Sequence, residues 1–307
     1  MRLFRFVPPA STCAALALAA CSAGTAVTPI AASSRAVAVQ PGGNCINPLL
    51  EFVSDKAAGE IYVYNGTSAN ACLVISHVPQ PGGMDVNSAG TMYVASASAH
   101  RIFVYKAPYT ALSQTIVDGV KLPGDVALCK GFIAATNLTT NTVTIFSYAG
   151  ATLRVLNAPP GVQELYATCD PAGNLFTDGT IGGVTNVVEF KNGIGAAIPL
   201  NSLAAAIAKP GGLEWENGRL WVDDQTSLSI SIWPAPFTAA SAVIHLAGAV
   251  DPVKFEVSPS DATILSADSG LDRTVFYNLS GTPIGALNPF TAGGTLIGAN
   301  YNKDDSP

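Results

Sequence analysis

The chain has 307 residues, of which 49% are hydrophobic and only 12% charged, with a formal net charge of −6 and a pI near 5.0. That composition supplies a large core and excludes a mainly disordered chain, which needs low hydrophobicity and high charge. It also excludes nucleic acid as a partner, because displacing phosphate counterions takes clustered Lys and Arg and no window supplies them.

Arg2 and Arg5 open a short positive segment, and an apolar run follows that ends Leu18-Ala19-Ala20-Cys21. A charged start with a short apolar core is an export signal, too short to span a bilayer comfortably. Small residues ahead of a cysteine match the lipobox of bacterial lipoproteins. Residues 1–20 are therefore expected to be a cleaved signal and Cys21 the lipidated N-terminus. An ordinary cleaved signal that happens to contain a cysteine is the other reading. Several acyl chains on one residue anchor firmly, where one chain is marginal. Ser22 in place of Asp favours the outer membrane or cell surface, with a periplasmic or secreted protein as the alternative. Residues 21–43 are small, polar and nearly uncharged, and read as a flexible tether to a domain at 44–307.

Within that domain a short alternating strand ending in an aromatic recurs six times, at Tyr64, Tyr105, Phe146, Phe190, Trp233 and Tyr277. The intervals are 41, 41, 44, 43 and 44 residues. A second short strand precedes each run, from Leu50-Glu51-Phe52-Val53 to Thr263-Ile264-Leu265-Ser266. Ahead of these, Pro-Gly punctuation opens an inner strand at Pro81, Pro123 and Pro210, and a fourth strand follows each aromatic, as at Cys72-Leu73-Val74-Ile75. Four short strands per period of about 40 residues predict an all-β, six-bladed β-propeller. The first repeat lacks an inner strand and the C-terminus carries a spare one, Thr295–Tyr301. The C-terminal strand is thus expected to complete the first blade and close the ring.

Pro81-Gly82-Gly83-Met84-Asp85-Val86 through Tyr93-Val94-Ala95-Ser96, followed by His100-Arg101-Ile102-Phe103-Val104-Tyr105, resembles the NHL repeat. The chain also looks like the wider superfamily that includes gluconolactonase-like calcium-dependent lactonases and streptogramin lyases. The resemblance implies loops after the second strand and before the first that open on one face around a central channel. It places Asp55, Ser96, Asn137, Asp178, Asp224 and Asp268 at related positions there, with Asp223, Asp272 and the loop residue His100 beside them. In the lactonase-like enzymes a channel-mouth Ca²⁺ held by Glu, Asn and Asp polarises a lactone carbonyl. Glu51 is the only match near the family's first acidic ligand, on a different strand. A periodic Asp is first of all a turn residue, whose carboxylate caps backbone amides, and that reading is preferred.

Four cysteines remain in the domain, Cys45, Cys72, Cys129 and Cys169. An even number in an exported chain favours disulfides, here Cys45–Cys72 and Cys129–Cys169, with buried free thiols as the alternative. Their spacing does not suit a metal site. Trp215, Trp221 and Trp233 are expected between blades, with a sugar-binding floor as the lesser option. No nucleophile–base pair is legible. The expectation is a monomeric, lipid-anchored module that binds a protein or glycan partner without chemistry and without a cofactor. A metal-dependent lactonase-like hydrolase or lyase is the alternative.

Overall fold

The computed structural model describes Cys45 and residues 49–301, apart from 67, 118, 160–162, 259, 261 and 288–295. The expected signal, Cys21 and the tether lie outside the described residues.

Six four-stranded antiparallel sheets stand in a ring. The first holds β1 (Leu50–Asp55), β2 (Glu60–Asn65) and β3 (Ala71–Ile75), and the second β4 (Pro81–Val86), β5 (Thr91–Ser96), β6 (Arg101–Lys106) and β7 (Leu112–Ile116). The third comprises β8 (Pro123–Cys129), β9 (Phe132–Asn137), β10 (Thr142–Phe146) and β11 (Thr152–Asn157). In the fourth are β12 (Gln163–Cys169), β13 (Leu175–Ile181), β14 (Val184–Phe190) and the two-residue β15 (Ile198–Pro199). The fifth runs through β16 (Pro210–Glu216), β17 (Arg219–Asp224), β18 (Ser229–Pro234) and β19 (Ala242–His245). The sixth has β20 (Pro252–Val257), β21 (Thr263–Asp268), β22 (Arg273–Asn278) and β23 (Pro283–Leu287). The last strand, β24 (Leu296–Tyr301), pairs with β1 and supplies the inner strand of the first blade. The six-bladed propeller and its C-terminal closure thus agree with the sequence expectation.

The period is built from packing between blades. The recurring aromatics lie at or near the ends of the third strands and are buried, with Tyr64, Phe146 and Phe190 at 0% exposure, so each blade contributes a bulky ring to the layer beside a neighbour. Second strands such as β1, β5 and β9 are buried along their whole length, because both faces of each sheet meet another sheet. Outer strands alternate or face solvent, as β7 and β11 do.

Two disulfides reinforce this frame. Cys45–Cys72 ties the segment ahead of the first blade to β3. Cys129–Cys169 joins the last residues of β8 and β12, with Cα atoms 5.3 Å apart, and so links neighbouring inner strands.

At the start of the inner strands the Pro-Gly-Gly segments let backbones approach closely. A Cβ on Gly82 would collide with the Gly124 carbonyl, and one on Gly83 with the Asp125 carboxylate. A Cβ on Gly298 would lie 2.8 Å from Ser54 Oγ and 3.0 Å from the Gly82 carbonyl. Small residues narrow the channel at this end.

Candidate functional site

The residues that the sequence places around the channel mouth hold loops in place. Ser96, Asn137, Asp224 and Asp268 each sit at the end of a second strand, beside the chain that arrives at the same blade's inner strand. Asp224 accepts from the amides of Ala208 at 3.2 Å and Lys209 at 3.1 Å, and from Thr226 at 3.0 Å. Asp268 accepts from Val250 at 2.8 Å and Asp251 at 3.0 Å, and also from Gly270 and Leu271. Asn137 accepts from Lys121 at 2.8 Å and donates to Thr142 and Thr144. Ser96 donates to the Pro79 carbonyl, and His100 Nδ1 accepts from Leu122 at 3.1 Å. Asp55 caps its own turn through Ala57 and Ala58.

Opposing the burial that raises a carboxyl, the amides of Ala208, Lys209 and Thr226 hold Asp224 below its ordinary value. A carboxylate whose lone pairs already face backbone N–H groups is a poor metal ligand, since Ca²⁺ takes six to eight oxygens. Among the described residues no three His, Cys, Asp or Glu side chains converge on a point that suits a metal ion. The donor set that the resemblance implies for Ca²⁺ therefore does not fit this face.

Asp178 departs from the predicted alignment. Counted from the paired aromatics, Leu175 faces Phe190 as Leu220 faces Trp233, so Gly179 rather than Asp178 is the mate of Asp224. The cause is a longer hairpin, in which β13 and β14 continue to Ile181 and Val184 before turning at Gly182 and Gly183. Asp178 instead aligns with Asp223, and both are wholly buried. Tyr166 N–H donates to Asp178 Oδ1 at 3.2 Å. Burial, then the charges of Asp224, Asp251 and Asp268, raise the Asp223 carboxyl well above the ordinary range, and neither of its oxygens has a hydrogen-bond partner.

The inner strands carry a second polar system that the sequence reading missed. An inner strand borders the channel, so its outward backbone groups need partners from elsewhere. Side chains of the preceding blade provide them. Asp85 accepts from Leu128 N–H at 2.8 Å, Asp125 from Ala167 at 3.1 Å, Thr168 from Trp215 at 3.1 Å and Glu214 from Val257 at 2.8 Å. Asn300 donates to the Met84 carbonyl at 3.3 Å. Across the channel, Lys254 on the sixth blade reaches Asp125 on the third, Nζ to Oδ1 at 2.6 Å, with both side chains buried. Burial alone would lower the Lys254 ammonium; Asp125, Glu256 and Asp85 overcome it and raise the group above its usual value.

Beyond this pair the channel opens at the other end from the expected face. A cavity of about 270 Å³ lies among the ends of the inner strands, with Asp85, Glu214, Glu216, Glu256, Lys254 and Asn300 in its wall. A smaller space of about 130 Å³ lies at the expected face, walled by Pro81, Gly82, Pro123, Gly124 and Tyr166. Charged residues alternating with apolar ones, as in Lys254-Phe255-Glu256-Val257, are the signal in the sequence for the larger cavity. The tryptophans lie in the blade layers: Trp215 stacks on Phe176 at 5.3 Å, and Trp221 and Trp233 are buried.

Glu51 lies in β1, opposite Tyr64 and Tyr301, and is buried. Desolvation pushes its carboxyl from 4.5 up to about 8, and a backbone hydrogen bond opposes this weakly. An acid raised by folding stabilises below its unfolded value and loses that contribution as pH rises through its folded value. Here the window is pH 4.5 to 8, with a ceiling of about 5 kcal/mol. Glu51→Gln is expected to raise the melting midpoint by several degrees at pH 8.5 and to leave it nearly unchanged at pH 5. Equal shifts at both pH values in a calorimetric scan would contradict the assignment.

No protein-family model matches the chain. No curated protein matches it in sequence. Among solved structures, a chain from a nidogen/laminin complex superposes with a TM-score of 0.71 at 15% identity, covering 83% of this chain and 99% of that one. A catalytically inactive virginiamycin B lyase from Staphylococcus aureus with quinupristin gives a TM-score of 0.54 at 13% identity, covering 71% and 73%. Identities this low speak to architecture alone. The chain is a six-bladed β-propeller of the kind found in those two structures.

Proposed function

We propose that the protein is an exported, lipid-anchored propeller that binds an envelope or extracellular partner, protein or glycan, without chemistry of its own. The observation that carries this reading is the use made of Asn137, Asp224 and Asp268. Side chains placed where a catalytic ion would be held are turned onto the amides of incoming loops. Two disulfides support export, since such bonds persist in oxidising compartments. The nidogen/laminin neighbour, a propeller in a protein complex, lends support to a protein partner.

Thermal unfolding of the full chain with EDTA, Ca²⁺, Mn²⁺ or Zn²⁺ tests the reading against the lactonase-like alternative. A ion that binds only the native state raises the midpoint by mass action. The expected result is one midpoint under all conditions. A rise with one metal that disappears in Asp224→Asn, together with lactone hydrolysis, would replace the binding module by the enzyme.

A further inference from the structure

We propose that the pocket of about 130 Å³ at the loop face of the channel binds a short branched aliphatic carboxylate, with the chain in the pocket and the carboxylate beside Lys56. This deepens the binding-module reading and rests on it.

Size sets the first limit. Pockets that take drug-sized ligands hold about 300–1,000 Å³. A space of about 130 Å³ is too small for such a molecule and suits a chain of a few carbons. Its shape is fixed by backbone as well as side chains. A Cβ on Gly124 would lie 2.6 Å from Leu138 Cδ2 and 3.1 Å from the Leu165 carbonyl, so only a glycine lets these parts of the wall meet.

The chemistry of the wall sets the second. Pro81, Ala97, Pro123, Leu138 and Leu165 present carbon to the space. Besides Tyr166, the polar side chains around it are Lys56 and Gln80, and no acid is among the lining residues. Lys56 enters no ion pair among the described residues. An ammonium without a counter-ion beside an apolar space selects a ligand with one anionic end and one apolar end, and its own methylene stem adds to the apolar wall.

Tyr166 orients that ligand. Burial, then the acids Asp178 and Asp125, raise its phenol well above the ordinary value. The ring stays uncharged, and the same acids oppose a second negative charge beside it. The aliphatic end therefore belongs against Tyr166 and the carboxylate at Lys56. A primary amine would meet the Lys56 charge instead, and a neutral chain would leave that charge unpaired.

The carboxylate can be a free acid or the C-terminus of a partner polypeptide that ends in Val or Leu. Calorimetric titration of the full chain separates the two. Isovalerate probes the free acid, with isovaleramide as its neutral counterpart and isoamylamine as its cationic one. Acetyl-Gly-Val and acetyl-Gly-Leu probe the C-terminus, with their C-terminal amides as controls. Saturable binding of the carboxylates, weaker for the amides and absent for the amine, is expected. Tighter binding of the peptides assigns the site to a partner's C-terminus, and tighter binding of isovalerate to a soluble acid. Lys56→Gln, in the turn after β1, is expected to weaken carboxylate binding about threefold to fivefold, the contribution of one exposed ion pair, and to leave the amides unaffected. Ala97→Leu is expected to abolish binding, because its longer side chain occupies the space. The ligand series on the unaltered chain decides the matter even if Ala97→Leu does not fold. No saturable binding by any carboxylate, equal binding of acid and amide, or full binding by a folded Ala97→Leu chain overturns the proposal. Should the carboxylates fail while the metal series leaves the midpoint fixed, the binding-module reading survives and only the occupant of the pocket is wrong.

Discussion

Deleting residues 293–307 is expected to abolish the cooperative thermal transition. β24 pairs with β1 from Glu51 opposite Tyr301 to Asp55 opposite Leu296, and it stands between β20 and β4 in the inner ring. Without it, a strand that is buried along its length loses the partner of one edge. Each buried backbone group left unpaired costs about 1–3 kcal/mol. Tyr301 also leaves a cluster with Val53, Tyr64, Val253 and Leu265, and removing a buried aromatic costs about 3–5 kcal/mol. Together these terms reach the whole margin of a folded domain, about 5–15 kcal/mol. Circular dichroism should show a broad, shallow melt, and a dye for exposed apolar surface should bind at 25 °C. Tyr301→Ala is the graded control. At roughly 2–4 °C per kcal/mol for a domain of this size, its midpoint should fall by about 10 °C while the transition stays sharp. A truncated chain that melts at the original temperature would remove the ring-closing role of β24.

The ring was legible because its repeat is written in bulk. Tyr64, Phe146, Phe190 and Tyr277 must each fill the same gap between blades, so an aromatic returns at a fixed interval and carries the register of the neighbouring strands with it. The missing inner strand at one end and the spare at the other follow from the same count. The cysteines were legible for a related reason: Cys129 and Cys169 hold equivalent places on adjacent blades, and equivalent places on adjacent blades are close in space.

The channel was much less legible. Asp55, Asn137, Asp224 and Asp268 announce themselves by periodicity, but their partners are main-chain amides of loops with no sequence signature. Asp178 slipped by one place because the extra residues of its hairpin lie beyond it, at Gly182 and Gly183. On the inner strands, Asp85, Asp125, Lys254 and Glu256 do not recur with a common residue type. What they share is a task, to pair with the backbone or the charge of another blade, and several side chains perform it equally well. Lys254 and Asp125 are separated by 129 residues and meet only because six blades bring the third and sixth face to face.

That pair carries the second large expected effect. Lys254→Met keeps the stem that packs against Gly212 and removes the charge, leaving Asp125 buried and 0% exposed without its cation. Breaking a buried pair from one side costs about 3–5 kcal/mol, so the midpoint is expected to fall by about 10 °C. Asp125→Asn should be comparable, since it strands the buried Lys254 ammonium and weakens the acceptor of the Ala167 and Val126 amides. The double variant decides whether the effect belongs to the pair. If the two groups interact across the channel, Lys254→Met with Asp125→Asn costs less than the sum of the single losses by at least about 1 kcal/mol, because neither change then abandons a buried charge. Simple additivity in denaturant titrations would mean that each residue acts through its own blade. The ion pair would then be a contact of the folded ring and not one of the forces that holds it together.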